Sequence, residues 1–216
     1  MTRQSAAAWR IDYSIVRRSI RALPIAIGLP LGAALIWLAA LLLTSNFHAV
    51  EEGVLYRSSQ MTGLELKKAI ERYGIRTVIN LRGSHPSDHW YDEEIAVSTG
   101  AGAAHADLAL SARSELSDQE LNQLTTLLRD SPRPILVHCR SGADRTGLAS
   151  ALYEYSIAGK SAEKAREQLS FRFGHIRYFN RTVAMDHSFD RVTGNAGPPQ
   201  AISSPKPLSE SSSSSR

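Results

Sequence analysis

One cysteine, an arginine six residues later and a glycine between them describe a place to hold and attack a phosphate. They are Cys139, Arg145 and Gly142, inside the run His138-Cys139-Arg140-Ser141-Gly142-Ala143-Asp144-Arg145-Thr146-Gly147. Cys139 is the only cysteine in the chain. The thiolate, not the thiol, is the nucleophile, and a free cysteine titrates near about 8.5. Arg145 carries a planar fork of donors that matches two phosphate oxygens and does not lose its charge. Gly142 lets the backbone take a positive φ and approach a ligand closely.

These residues need particular elements around them. The apolar run Ile135-Leu136-Val137 reads as a short buried strand, and Thr146 to Ala158 is compatible with a helix. Residues 139–145 then form a strand-to-helix loop, a geometry that turns backbone N–H groups toward one point. Such a ring of amides at a helix N-terminus favours the sulfur anion and binds phosphoryl oxygens. The expected substrate-binding residues are Arg140, Ser141, Gly142, Ala143 and Thr146, with Thr146 placed to hydrogen-bond the sulfur. His138 is expected to order the loop rather than act as a base.

The segment resembles the cysteine-based protein tyrosine phosphatase superfamily, whose signature H-C-x5-R-[ST] is met in full by His138-Cys139 and Arg145-Thr146. Val54-Leu55-Tyr56-Arg57-Ser58-Ser59-Gln60 and Gly74-Ile75-Arg76-Thr77-Val78-Ile79-Asn80-Leu81-Arg82 look like the early strands of atypical dual-specificity phosphatases. The resemblance spans roughly residues 50 to 190. It implies a central sheet flanked by helices and a two-step reaction through a phosphocysteine on Cys139. It also implies that neither metal nor cofactor takes part. Competing readings are an inert buried cysteine, a rhodanese-like or arsenate-reductase-like loop, and a catalytically inactive phospho-ligand receptor. The glycine, arginine, threonine and flanking elements count against the inert cysteine, and the early-strand similarity and the Arg145-Thr146-Gly147 ending against the rhodanese-like and arsenate-reductase-like loops.

A general acid is harder to place. Protonating a leaving oxygen takes a carboxylic acid close to the bound ester. Asp107, Glu115 and Asp118 lie upstream of the cysteine at distances that permit the role. Asp144, inside the loop, is the preferred candidate. Its C-x-x-G-x-D-R context is similar to that of myotubularins and of some bacterial phosphatases acting on phosphoinositides. The competing reading of Asp144 is an ion pair that orients Arg145 or Arg140.

Ala22 to Leu43 carries no charged residue over 22 positions, enough to cross a hydrocarbon core of about 30 Å. Arg3, Arg10, Arg17, Arg18 and Arg21 precede it, against Asp12 alone. By the positive-inside rule this predicts a single-pass protein with a cytoplasmic N-terminus and the catalytic domain on the opposite side. A cleaved signal peptide competes, but the apolar run is long for one and no small-x-small site follows it.

The expected organisation is a basic arm at 1–21, a transmembrane helix at 22–44, a phosphatase domain at 45–193 and a disordered Ser/Pro-rich tail at 194–216. The net charge of +4 belongs to the arm, which holds five arginines and one aspartate, and the remainder is neutral. That argues against a nucleic-acid partner. The expected partners are a phosphorylated protein or phospholipid and, through Ala22–Leu43, a membrane. With a single cysteine there is no internal disulfide, and an exported thiolate would be open to sulfenic acid formation.

Further along the chain, a capping box at Thr62 and Glu65 predicts a helix ending at Gly74. Arg76 to Leu81 and Ala103 to Leu110 read as strands. Ser117 to Arg129 reads as an amphipathic helix with Leu121, Leu124, Leu127 and Leu128 on one face. Gly83 to Glu94 reads as a polar, substrate-side loop. Its His85 and His89 are spaced like a metal pair, but Pro86 argues against a helix there. Ser161 to Phe171 reads as helical, and His175 to Val192 as holding a last helix. The alternation of strands and helices gives an α/β class.

Overall fold

A computed structural model describes the backbone of residues 13–176 and 183–195, with side chains from Gly28 onward. The chain divides into two compact units, residues 1–44 and 45–216. In the first, α1 (Tyr13–Leu43) is a continuous helix of 31 residues. Among the described residues, no helix is long and apolar enough to cross a membrane. The expected span Ala22–Leu43 is therefore not met there, since its side chains are described only from Gly28. The first half of the basic arm and the tail beyond Asn195 lie outside the described residues.

The second unit is built on five strands: β1 (His48–Glu51), β2 (Leu55–Ser58), β3 (Thr77–Asn80), β4 (Ala104–Asp107) and β5 (Ile135–His138). Their order is β1-β2-β5-β3-β4. β1 pairs antiparallel with β2, and every other pair is parallel. Register aligns Ser58 and Asn80 with His138, and Asp107 with Asn80. Four strands thus end on one line, and the segments that follow Ser58, Asn80, Asp107 and His138 share the carboxyl edge. This is where open α/β sheets bind ligands.

Strand alternation sends side chains to opposite faces. Leu55, Ile79, Ile135 and Val137 join one core with Leu124, Leu128, Leu148, Leu152 and Phe189. Tyr56, Val78 and Leu136 join another with Leu66, Ile70 and Ile75. The first core lies under α4 (Asp118–Asp130), α5 (Asp144–Ser156) and α7 (Val183–Asn195), and the second under α2 (Gly63–Tyr73). Complete burial of a leucine side chain contributes roughly 1.5–3 kcal/mol. α5 is the central helix, buried at ten of its 13 residues. Capping boxes start α2 at Thr62–Glu65 and α4 at Ser117–Glu120, and Gly74 closes α2 in the left-handed region at φ 63°.

Three expectations change. The polar loop over Gly83 to Glu94 ends early, because α3 (His89–Gly100) begins inside it. The inward stripe of α3 is Tyr91, Glu94 and Ser98, so polar residues occupy the buried face and no apolar period advertises the helix. Ser161 to Phe171 holds only α6 (Ala162–Arg166), followed by a 3-10 turn at Phe171–Phe173. The last helix, described over Val183–Asn195, runs past the expected end at Val192.

Candidate active site

Cys139 leaves the end of β5 and is 2 % exposed. The loop after it is shaped from outside by its carbonyls. The Gln60 N–H donates to the Arg140 carbonyl at 3.3 Å, and Asn46 Nδ2 donates to the Ser141 carbonyl at 3.0 Å. Arg57 Nη2 donates to the Gly142 carbonyl at 2.7 Å. In a planar trans peptide the C=O and the next N–H point in opposite directions. Three carbonyls tied to the scaffold therefore turn the N–H groups of Ser141, Gly142 and Ala143 away from it, toward the open side. The Ser141 and Gly142 amides have no acceptor among the described residues, and the Ala143 N–H reaches only Ser141 Oγ at 3.4 Å. An oxyanion is the missing acceptor for such a cradle.

Gly142 is required by this packing. Its φ is +70°, and a Cβ there would lie 2.7 Å from the Ser58 backbone. Gly147 serves the helix behind the loop, since a Cβ would stand 3.0 Å from the Gln168 carbonyl.

Arg57 is the main strut. It is fully buried in β2 and donates through Nη1 to the Gln168 carbonyl at 2.9 Å and to Gln168 Oε1 at 2.7 Å. Its guanidinium also lies over the Phe173 ring, 3.9 Å from the centroid. Burial pulls its pKa down to about 9, and the nearby Cys139 pulls it back up. Arg57 remains a cation at neutral pH and places positive charge behind the nucleophile.

Arg145 Nη1 donates to the carbonyls of Leu81, at 3.0 Å, and Leu110, at 3.1 Å. Its guanidinium is thus held over the strand ends beside β5, while its buried Nε has no partner. The Thr146 hydroxyl is likewise buried without a partner among the described residues. Arg140 and Ser141 are exposed, whereas Gly142 and Ala143 are buried.

Behind His138 runs a chain of buried polar groups. His138 Nε2 and His105 Nε2 both meet Glu94 Oε1, at 3.1 and 2.8 Å. Gln60 Nε2 reaches Glu94 Oε2 at 2.5 Å. Burial raises the Glu94 pKa, but these hydrogen bonds outweigh it and hold it near about 2. A permanent carboxylate therefore fixes His138, and the His138 carbonyl accepts from the Leu81 N–H at 2.9 Å.

The four candidate acids fall in two groups. Glu115 and Asp118 turn toward α7: Glu115 meets His187 at 3.1 Å and Arg191 at 3.4 Å, and Asp118 meets Arg191 at 3.4 Å. Asp107 and Asp144 stay at the sheet edge. Asp107 accepts from Asn80 Nδ2 at 2.8 Å and from the Tyr91 hydroxyl at 2.5 Å. Asp144 pairs with neither Arg145 nor Arg140; its Oδ1 meets His175 Nδ1 at 2.8 Å. His175 is buried, and its other nitrogen meets Asp186 Oδ2 at 2.8 Å. Burial alone would lower the His175 pKa, but the two carboxylates raise it to about 9. It is a cation at neutral pH, donating both N–H groups.

Sequence reasoning missed Arg57, Asn46, Gln60, Glu94 and His175 as site residues. Arg57 had a signal: a charged residue inside a strand run whose every position is buried. The others lie far from the loop in sequence, His175 31 residues from Asp144 and Asn46 95 from Ser141, and only the tertiary fold brings them to it.

Comparison with known proteins agrees with this geometry. The profile of the tyrosine phosphatase family matches residues 40–168. No curated protein matches the chain by sequence. TpbA of P. aeruginosa is 22 % identical with TM-score 0.51, over 69 % of this chain and 91 % of that one. A cysteine-to-serine TpbA in complex with pTyr gives 21 % and 0.51, over 70 % and 92 %. The catalytic core of the S. cerevisiae PP-IP phosphatase Siw14, in complex with citrate, gives 20 % and 0.52, over 69 % and 91 %. These likenesses establish the shared fold. Carried by the family profile across the sheet, the Cys139 loop and the start of α5, the chain belongs to the tyrosine phosphatase family.

Proposed function

We propose that this chain is a membrane-anchored phosphomonoester hydrolase of the tyrosine or dual-specificity type, working through a phosphocysteine. The observation that carries the reading is the loop whose carbonyls are tied outward by Gln60, Asn46 and Arg57. Its amides are thereby left without acceptors next to Cys139, and Arg145 Nε is likewise buried without a partner among the described residues. In the first step the Cys139 thiolate forms an S–P bond and the ester P–O bond breaks, the leaving oxygen taking a proton from an acid. In the second step water attacks phosphorus, the S–P bond breaks, and phosphate leaves with the thiolate restored. Arg145 and the loop amides hold the equatorial oxygens throughout.

Asp144 is the proposed acid, supplied with its proton across the 2.8 Å bond from His175. Asp107 is the rival. Phosphotyrosine in the related TpbA complex supports a phosphorylated protein as substrate. The anchor rests on the uncharged run Ala22–Leu43 and on the exposed Leu29, Leu31, Leu35, Ile36, Leu42 and Leu43 of α1. It makes a phospholipid at the same surface a second candidate. The arginines before the run orient the N-terminus to the cytoplasm and the catalytic unit across the membrane.

The test uses the full chain with reductant and an aryl phosphate. Wild type turns over and Cys139→Ser falls to the background rate. Phosphate binding without wild-type turnover favours the inactive receptor instead. Release of the chain from membranes by alkaline carbonate would overturn the anchor, and protease digestion of sealed vesicles reads the orientation.

A further inference from the structure

Arg82 follows β3 at the carboxyl edge, and nothing in the hydrolytic steps uses it. Its guanidinium lies flat on the Trp90 ring, 3.5 Å from the centroid. The loop beneath it is folded into a platform. Trp90 Nε1 donates to Asp88 Oδ2 at 3.2 Å. The His85 ring packs on Trp90 at 5.3 Å, and its Nε2 meets the Arg82 carbonyl at 3.2 Å. A stacked guanidinium keeps its in-plane donors free, and of these only Nη1 is engaged, to the neutral Gln60 Oε1 at 3.0 Å.

Gln60 also ties Arg82 to the phosphate loop, because its own N–H holds the Arg140 carbonyl. Arg82 is therefore one side chain away from the Arg140 backbone and close enough to Arg140 and Arg145 to feel both charges, which gathers three guanidinium groups at this edge of the sheet. Burial, then repulsion from Arg145 and Arg140, lowers the Arg82 pKa. Among the described residues no carboxylate lies within ion-pair distance of any of the three. Glu94 and Asp88 attract Arg82 from further off, but Glu94 is taken up by His105, His138 and Gln60, and Asp88 accepts from Trp90. Cations held together without a counter-ion cost stability, and a ligand anion removes that cost.

We infer that Arg82, stacked on Trp90 and assisted by Arg140, forms a second anion subsite beside the Cys139 cradle, so that the ligand is a phosphomonoester bearing a second phosphate group. The inference rests on the phosphate-binding reading of the cradle. It does not rest on turnover, so its test is a binding measurement. The full chain is titrated with methylphosphonate and with the alkylene bisphosphonates from methylene to butylene. At least one bisphosphonate should bind roughly tenfold to a hundredfold more tightly than methylphosphonate, the worth of one charge-assisted contact. Arg82→Gln should collapse that ratio toward one, Arg82→Lys should restore part of it, and Trp90→Ala should weaken it. A wild-type ratio near one for the whole series overturns the subsite, as does a ratio that Arg82→Gln leaves intact. Failure of every ligand, methylphosphonate included, overturns the cradle instead. A second arm compares phosphate release from a soluble inositol bisphosphate and from the same headgroup on vesicles. Preference for either over its monophosphate counterpart supports the subsite and names the source, and no preference for either counts against it.

Discussion

The two halves of the site are built differently. On the nucleophile side, Arg57, Asn46 and Gln60 each fix one carbonyl of a single loop, and Glu94 fixes the histidine before it. The amides and the thiol inherit their positions from groups that are themselves held by further contacts, Arg57 by Gln168 and Gln60 by Glu94. On the proton side, each carboxylate at the edge is already engaged. Asp107 accepts from Asn80 and Tyr91, and Asp144 from a histidinium. Holding a phosphate needs fixed donors, whereas moving a proton needs a group whose partner can change. The first is over-determined and the second is a network with an alternative in it.

The largest effect should come from breaking the over-determined half. Arg57→Met keeps the volume near Phe173 but removes three hydrogen bonds, leaving the Gly142 and Gln168 acceptors buried without donors. Loss of one partner of a buried charged network costs about 3–5 kcal/mol. The unfolding midpoint in urea should fall accordingly, and phosphate affinity should fall with it as the loop loosens. A stable variant with unaltered phosphate affinity would show that the loop holds its own shape, and the contrast between the halves would disappear.

How much could be read from residue order follows the same division. The cradle is contiguous, ten residues from His138 to Gly147, and its chemistry was legible along with β5, α5, β3, β4 and the capping box at Thr62. Those features depend on local pattern and propensity. Arg57 stood in plain view in a strand, yet its role requires β2 to pair with β5, which only the sheet order supplies. α3 escaped because Tyr91, Glu94 and Ser98 put polar groups on its buried face. The partner of Asp144 escaped because His175 is 31 residues away, beyond α5, α6 and a 3-10 turn. An ion pair was anticipated there, but with the wrong cation.

The next effect separates the rival acids. Asp144→Asn should slow an alkyl phosphate, which has a poor leaving group, by about 10²-fold or more. An activated aryl phosphate should be slowed far less. Asp107→Asn should slow both substrates about equally, through the Asn80 and Tyr91 contacts it disturbs. If the leaving-group dependence appears in Asp107→Asn instead, the proton comes from β4, and Asp144 serves only to anchor His175.

The smallest effect is a matter of pH and stability. His175 is a buried cation between Asp144 of α5 and Asp186 of α7, and Arg166 of α6 stands 3.9 Å from Asp186. Its folded pKa, about 9, is raised above the ordinary histidine value of 6.5. Its contribution is then complete below about pH 6.5 and is lost as pH rises through about 9, since the unfolded state gives up the proton first. The expected loss is on the order of 2 kcal/mol across that window. Urea midpoints between pH 6 and pH 9 measure it, best in a Cys139→Ser background, which removes the thiol. His175→Gln in that background keeps a hydrogen-bonding side chain without the charge, and its stability should vary little over the window. Parallel pH curves for the two proteins would mean that His175 is neutral in the folded chain. Asp144 would then lack the proton source assigned to it, and the proton side of the site would be as fixed as the nucleophile side.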